Sequence, residues 1–401
     1  MTSSYLYDAV RTPFAKIGGA LSGHRPDDLA ALVVRTMVER APEFDPARID
    51  EVIFGNANGA GEENRNVARM ATLLAGLPTS VPGTTVNRLC GSSLDAAMIA
   101  SRQIEVEEAD VMLVGGAESM SRAPWVLPKT ERAFPMQDIK LADSTLGWRL
   151  VNPQMPGEWT VSLGEATEQL REKHGITRAE QDEFAARSHQ LAAAAWDQGR
   201  YQDLVVSVPA NSKRGTEVTR DETIRPDSTA ESLGGLRTVF RAENGTVTAG
   251  NASPMNDGAS AAWLGSAAGG DVLGLDPLAR IAGRGAAANE PQFFGEAPVE
   301  AGNIALRRAG ITWDQVGAVE LNEAFAAQSL ACVRQWGIDQ EIVNTWGGAI
   351  AIGHPLGASG TRVLGTLARR LKAENQRWGV ASLCIGVGQG LAVVLENQDA
   401  N

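Results

Sequence analysis

Short apolar runs that end in small or polar residues occur twice along this chain, in the same order each time. The first run covers Glu51 to Asn56 and ends in Gly55-Asn56, and the second covers Ala318 to Glu323 and ends in Asn322-Glu323. Each predicts a short strand. Val86 to Ser93 follows in the first case and Val343 to Gly348 in the second, each leading through small residues toward a helix. Apolar residues at Leu94, Ala97, Met98 and Ile104 predict a helix over Leu94 to Ile104. Val363, Leu364 and Leu367 predict another, from about Ser359 to Leu371. Each helix precedes a strand ending in glycine, Asp110 to Gly116 and Gly379 to Gly386. Strands alternating with helices imply an α/β fold with a mostly parallel sheet covered on both faces. The doubling implies two related halves, 1–120 and 276–401, with the first completed by about 251–270.

The middle of the chain breaks this pattern. Residues 121–250 mix charged helical stretches, such as Arg178 to Gln198, with loops rich in Pro, Trp and Gly, such as Trp148 to Gly157. They read as an insertion on the first half, placed to cover a site or build an interface. Gly265 to Gly274 is small and Gly-rich and reads as the linker between the halves.

Composition narrows the class. A chain of 401 residues with 43% hydrophobic and 21% charged residues is globular, with disorder expected only at Asn397 to Asn401. A net charge of -12 argues against a nucleic-acid partner. It leaves room for an anionic small molecule held by local Arg and Lys. The three cysteines, Cys90, Cys332 and Cys384, are too few and too far apart for a secreted disulfide framework. Reduced thiols fit a cytosol. No apolar stretch reaches the length of a membrane span, and the first residues lack a signal-peptide layout. The expectation is a soluble cytoplasmic protein without a membrane partner.

Cys90 lies between a strand and a helix start, where backbone N–H groups favour a thiolate. A thiolate is the reactive form in acyl transfer; the alternative is a small buried hydrophobe. Cys384 opens a glycine-rich turn to Gly390, in a position read as the counterpart of Cys90. Such a turn leaves N–H groups free to face a substrate. His354 sits among small residues, from Gly353 to Gly360, and can exchange a proton with a thiol near neutral pH. His24, His174 and His189 lie in polar surroundings and are expected to face solvent. Asn322 can anchor a water or orient an imidazole, or serve as a helix N-cap. Cys332 reads as core. No Cys or His pair has metal-ligand spacing, and no serine sits in a Gly-x-Ser-x-Gly elbow.

Together these segments resemble the thiolase family, from Asp8 to Pro13 at one end to the Cys384 turn at the other. The resemblance implies a five-layered αβαβα fold, an inserted loop domain over 121–250, and a homotetramer built as a dimer of dimers. It implies coenzyme A as a substrate and no permanently bound cofactor. It further implies that Cys90 is acylated, that His354 activates it, and that Cys384 moves a proton at the α-carbon of acetyl-CoA. Asn322 would hold a water that forms one oxyanion hole with His354. The N–H groups of Cys90 and Gly386 would form the other. By the same match Ala249 and Ser253 belong to a pantetheine loop, Phe325 lines the pantetheine tunnel, and Arg225 contacts the nucleotide.

Within the family, Gly61 to Met70 and Val86 to Ser93 are similar to the 3-oxoadipyl-CoA (β-ketoadipyl-CoA) thiolase branch. A dicarboxylic acyl chain needs a cation at its far end, and Arg65, Arg88, Arg122 and Arg149 are candidates. The chain departs from the usual pattern at Ser162 to Glu168 and at Pro254-Met255, which bears on the pocket wall. The implied activity is cleavage of a 3-oxoacyl-CoA by CoA. The alternatives are biosynthetic formation of acetoacetyl-CoA and a non-catalytic CoA-binding protein.

Overall fold

The structure, a computed structural model, describes residues 2–136, 138–210 and 215–400. The first strands are β1 (Tyr5–Arg11), β2 (Ala15–Lys16), β3 (Glu51–Gly55), β4 (Gly83–Val86) and β5 (Val111–Ser119). A small pair, β6 (Trp125–Val126) and β7 (Ala142–Asp143), opens the middle segment. Then come β8 (Asn256–Gly265), β9 (Ala279–Ala288), β10 (Ala318–Leu321), β11 (Trp378–Ile385) and β12 (Gln389–Glu396).

The duplication read from the sequence is visible in strand order. One part of the sheet runs β4-β3-β5-β8-β1 and the other β10-β11-β12-β9, with Val343 bridging Val319 beside β10. Each part therefore has the same order from its outer edge. A short antiparallel contact joins them, Tyr5 opposite Arg280 and Leu6 opposite Ala279.

The sheet is mixed, which corrects the expectation of mostly parallel pairing. The β3–β4, β3–β5 and β10–β11 pairs are parallel. The pairs made by β8, β9 and β12 are antiparallel. The reason is connection length. Only residues 386–388 separate β11 from β12, too few for a crossover, so the chain must fold straight back. Val387 and Gly388 make that turn at φ 63° and 74°.

The two predicted helices form at Ser92–Glu105 and Ser359–Ala373. Leu94, Ala97, Met98, Ile104, Val363, Leu364 and Leu367 all enter one buried cluster. Burying a large apolar side chain of this kind contributes about 1.5–3 kcal/mol. The helices meet at their N-terminal turns, where a Cβ on Gly360 would lie 2.0 Å from the Leu94 nitrogen. The Thr361 N–H there donates to Ser93 Oγ.

The segment expected as a linker is instead partly a helix, Ala267–Leu273. Ser266 caps its start and Gly274 ends it at φ 67°, so the small residues build a capped turn. In the middle segment, the helix Arg178–Asp197 starts at a capping box made by Thr177 and Glu180. Leu170, Phe184 and Ala185 from this segment pack on Leu330 and Ala331. A buried two-pronged pair, Arg11 with Asp221 at 2.6 and 2.8 Å, ties it to β1.

Candidate active site

Cys90 sits in a single helical turn, Leu89–Gly91, that runs into the helix from Ser92. Leu89 is held at φ 49°, a conformation that costs a non-glycine residue free energy, while its N–H donates to Asn87 Oδ1. The thiol is buried. Burial pushes its pKa up to about 11, and the N–H groups of Gly386 and of Cys90 itself pull the other way. The expected resting thiolate is therefore corrected: desolvation outweighs the helix start, and the thiol keeps its proton until a base takes it.

His354 lines the same cavity as Cys90. The Ser359 hydroxyl donates to the Pro355 carbonyl at 2.8 Å, so its lone pair receives His354 Nδ1–H at 2.6 Å. That assigns Nε2 as the unprotonated nitrogen. Asn256 Oδ1 accepts the His354 N–H and fixes its backbone. Burial, helped by the Arg362 charge, pushes the imidazole down to about 3. A neutral imidazole in this state can accept a proton.

Asn322 Nδ2 lies 3.3 Å from His354 Nε2, and Asn322 Oδ1 accepts from Arg362 Nη2 at 2.8 Å. Because Arg362 can only donate, the amide cannot turn over without losing this bond. Arg362 is itself buried, 3.6 Å from Glu320, which also pairs with Arg370 at 2.8 Å. Asn322 is not an N-cap, since the next helix starts at Ala326 after Phe325.

Cys384 is at the end of β11, buried, with its pKa pushed well up by burial and then by Cys90 and Cys332. Strand register corrects its assignment as the counterpart of Cys90. Gly55 stands opposite Gly116, and Leu321 opposite Ser382. Asn56 and Asn322 follow directly, so Cys384 matches Glu118. Both also pair with glycine, Glu118 with Gly258 and Cys384 with Gly390.

Two cavities meet at Cys90. One, of about 430 Å³, is lined by Cys90, His354, Cys384, Ser253 and Phe325. The other, of about 390 Å³, runs past Gly386 and Val387 to Ser144 and Arg149. Leu163 lines both, so the segment that departs from the family pattern does form wall. Ser253 Oγ donates to the Ala324 carbonyl and keeps an accepting lone pair. Three predicted residues stand back from these cavities. Asn322 is behind His354, Ala249 is exposed, and Arg225 is exposed on the outside.

Other expectations change. His189 is buried, not solvent-facing; its Nδ1 accepts the Arg225 N–H, and burial pushes it down to about 4. It lies on the inner face of a helix whose neighbours are charged, which hid it. His174 is also partly covered, 2.7 Å from Glu296. Cys332 is core as expected, with Sγ 3.1 Å from the Gly295 carbonyl. Among the described residues no cluster of His, Cys, Asp or Glu could hold a metal ion. No helix there is long and apolar enough to cross a membrane.

Glu118, Ser359 and Arg362 were not singled out from sequence. Ser359 and Arg362 follow His354 at five and eight residues, a spacing that could have suggested the first turns of one helix. Glu118 could have been found by aligning the two strand repeats residue by residue.

Comparison with known proteins agrees with this geometry. Residues 4–268 match the thiolase N-terminal domain and residues 275–397 the thiolase C-terminal domain. A β-ketoadipyl-CoA thiolase of Escherichia coli is 48% identical over 99% of this chain and 100% of its own length. One from Pseudomonas aeruginosa is 47% identical over 98% of each. An acetyl-CoA acetyltransferase of Bacillus anthracis superposes with a TM-score of 0.92 at 38% identity, covering 99% of both chains. Human mitochondrial 3-ketoacyl-CoA thiolase gives 0.92 at 36%, again with 99% of both covered. With both family domains matched across nearly its whole length, this chain belongs to the thiolase family and is an acyltransferase.

Proposed function

We propose that this thiolase cleaves 3-oxoadipyl-CoA with CoA, giving acetyl-CoA and succinyl-CoA. The observation that carries the reading is the position of Cys90 where two cavities meet, one shared with His354 and Cys384 and the other free for an acyl chain. The names of the similar bacterial proteins favour the dicarboxylic substrate.

His354 Nε2 takes the Cys90 proton as sulfur attacks C3 of the substrate. The C2–C3 bond then breaks, and its electron pair passes to C2 of the departing acetyl-CoA enolate. Cys384 gives its proton to that carbon. One thiol cannot carry the acyl group and protonate carbon at the same moment, so two are required. The N–H groups of Cys90 and Gly386 face one developing oxyanion, and a water held by Asn322 faces the other together with His354. The Cys384 thiolate then takes the proton of the CoA thiol as that sulfur attacks succinyl-Cys90, and the Cys90 thiolate leaves and regains its proton from His354, giving ping-pong kinetics. With Cys90 pushed to about 11 and His354 to about 3, no resting ion pair forms, and proton transfer accompanies attack.

CoA enters by the cavity that holds Ser253 and Phe325, with Ala249 at the outer part of the same loop and Arg225 toward the nucleotide. Residues 1–120 and 276–401 act as the two thiolase halves, and 121–250 as the cover over CoA. Exposed apolar side chains in that cover, Trp125, Phe134, Met136 and Leu150, favour burial in a tetramer. Three free cysteines favour the cytoplasm.

The test is intact mass after mixing with 3-oxoadipyl-CoA without CoA. The wild type is expected to gain a succinyl group and Cys90→Ala none. Turnover confined to acetoacetyl-CoA across a panel of 3-oxoacyl-CoA lengths would overturn the dicarboxylic reading.

A further inference from the structure

The second cavity contains one charged side chain among the described residues that line it, Arg149. Apart from the Cys90 thiol, its remaining wall is neutral, and much of it is apolar: Leu89, Leu146, Trp148 and Leu163 among others. An acyl chain on Cys90 that extends into this space meets a largely apolar wall and, where the cavity opens toward solvent, the exposed Arg149 side chain. A carboxylate in such surroundings is stable only when a cation and hydrogen bonds meet it.

The other three candidate arginines are engaged elsewhere or stand outside. Arg88 pairs with Asp95 at 2.8 Å, and Arg122 holds Glu62 with two nitrogens. Arg65 is exposed, as Arg149 is, but none of the three lines either cavity at Cys90. Arg149 has no carboxylate within ion-pairing distance among the described residues. Its Nη1 donates to the Ser144 carbonyl at 3.3 Å, which leaves most of its donors free. The acid nearest in sequence, Asp143, feels the Arg149 charge but makes its hydrogen bonds to the Thr145 N–H and hydroxyl.

The turn that carries Arg149 is anchored. Asn58 Nδ2 donates to both the carbonyl and the hydroxyl of Ser144, at 3.1 and 2.9 Å, and both residues are buried. The N–H of Asn58 is in turn held by Glu118. Arg149 thus follows, five residues on, a point tied to the loop after β3, and its own Nη1 returns to that point at the Ser144 carbonyl.

The geometry points to Arg149 as the carboxylate subsite of the acyl cavity, the residue that selects a dicarboxylic 3-oxoacyl-CoA over its monocarboxylic analogue. This rests on the substrate reading above. The planar guanidinium can take both carboxylate oxygens, which a lysine cannot.

The test compares kcat/KM for 3-oxoadipyl-CoA and 3-oxohexanoyl-CoA, which differ only in a terminal carboxylate against a methyl. The wild type is expected to favour 3-oxoadipyl-CoA. In Arg149→Met the ratio of the two is expected to fall about 10- to 100-fold, the size of one charged hydrogen-bond pair. Arg149→Lys, which keeps a point charge, is expected to fall between. If the wild type has the preference and Arg149→Met keeps it, or if both substrates lose activity in equal measure, the Arg149 assignment is overturned while the substrate reading stands. If the wild type itself favours 3-oxohexanoyl-CoA, the substrate reading fails and the subsite with it.

Discussion

The two halves of the sheet place an Asn and an acidic group at matching strand ends, and they use them differently. In the first half, Asn56 Nδ2 donates to the Ala117 carbonyl, and Glu118 collects the N–H groups of Ala57, Asn58 and Gly357. Every one of these bonds ties a loop to strand β5. In the second half, Asn322 faces His354, and Cys384 faces the cavity. One copy serves as scaffold, and in the proposed mechanism the other supplies the chemistry. The difference teaches that a duplicated fold can divide labour at equivalent positions: one strand end holds the loops still so that the other can present reactive groups. Glu118 even reaches across to the second copy, since Gly357 belongs to the loop after His354.

Changes at Cys384 give the largest expected effect. Cys384→Ala is expected to lower turnover by about 10²–10⁴, the range of a lost general acid–base group. Acylation of Cys90 by acetyl-CoA should persist while exchange of the acetyl α-protons with deuterated water stops. Continued exchange, read by mass spectrometry, would remove Cys384 from the chemical half of the comparison.

The two asparagines come next. Asn322→Ala is expected to cost about 10²–10³ in kcat, as for one oxyanion-hole donor. Asn56→Ala should leave kcat within about threefold and cost about 1–2 kcal/mol in urea unfolding, the worth of one buried hydrogen bond. Similar losses of kcat in the two variants would break the proposed division of labour.

Arg362→Gln should act through Asn322. Releasing the amide is expected to lower kcat by about tenfold with the KM for CoA nearly constant, because positioning is lost and binding is not. A loss carried mainly by KM would argue against that route.

The smallest effect is a pH dependence. Burial pushes the Glu118 carboxyl up to about 7 from an ordinary value of 4.5. A raised acid favours its protonated form in the folded state, so its contribution to stability falls as pH rises from 4.5 to about 7. His189 and His354 act oppositely, losing their contribution as pH falls below 6.5 toward about 4 and about 3. Glu118→Gln, which mimics the protonated carboxyl, should therefore be close to wild type in stability at pH 5 and gain on it by pH 7.5. Urea midpoints at the two pH values measure this, and a constant gap would mean that Glu118 does not titrate in that window.

Much of this was legible beforehand because it is local. Apolar spacing located the helices at Ser92–Glu105 and Ser359–Ala373 to within two residues at each end. Cys90, His354 and Cys384 stood in glycine-rich settings that few core residues share, and they do line one cavity. What stayed hidden depends on contacts far apart in sequence. The pairing of β8 with β1 and β5 is fixed by the whole sheet, so the mixed topology could not be read from short runs. Burial decides the charge state of Cys90, and a helix start alone suggested the opposite sign. Nothing in the residues around Arg149 distinguished it from Arg65, Arg88 or Arg122; the cavity did.

The place of strand β1 between β8 and β9 governs how the protein can be made. Tyr5 has to find Gly265 on one side and Arg280 on the other. At about 5–20 residues per second, the first strand emerges from the ribosome tens of seconds before either neighbour. Until then it is an apolar segment with two open edges, the sort of segment that chaperones hold and that aggregates recruit. Yield in a cell is therefore expected to depend on how well that wait is protected, and slower translation across 12–255 should lower it.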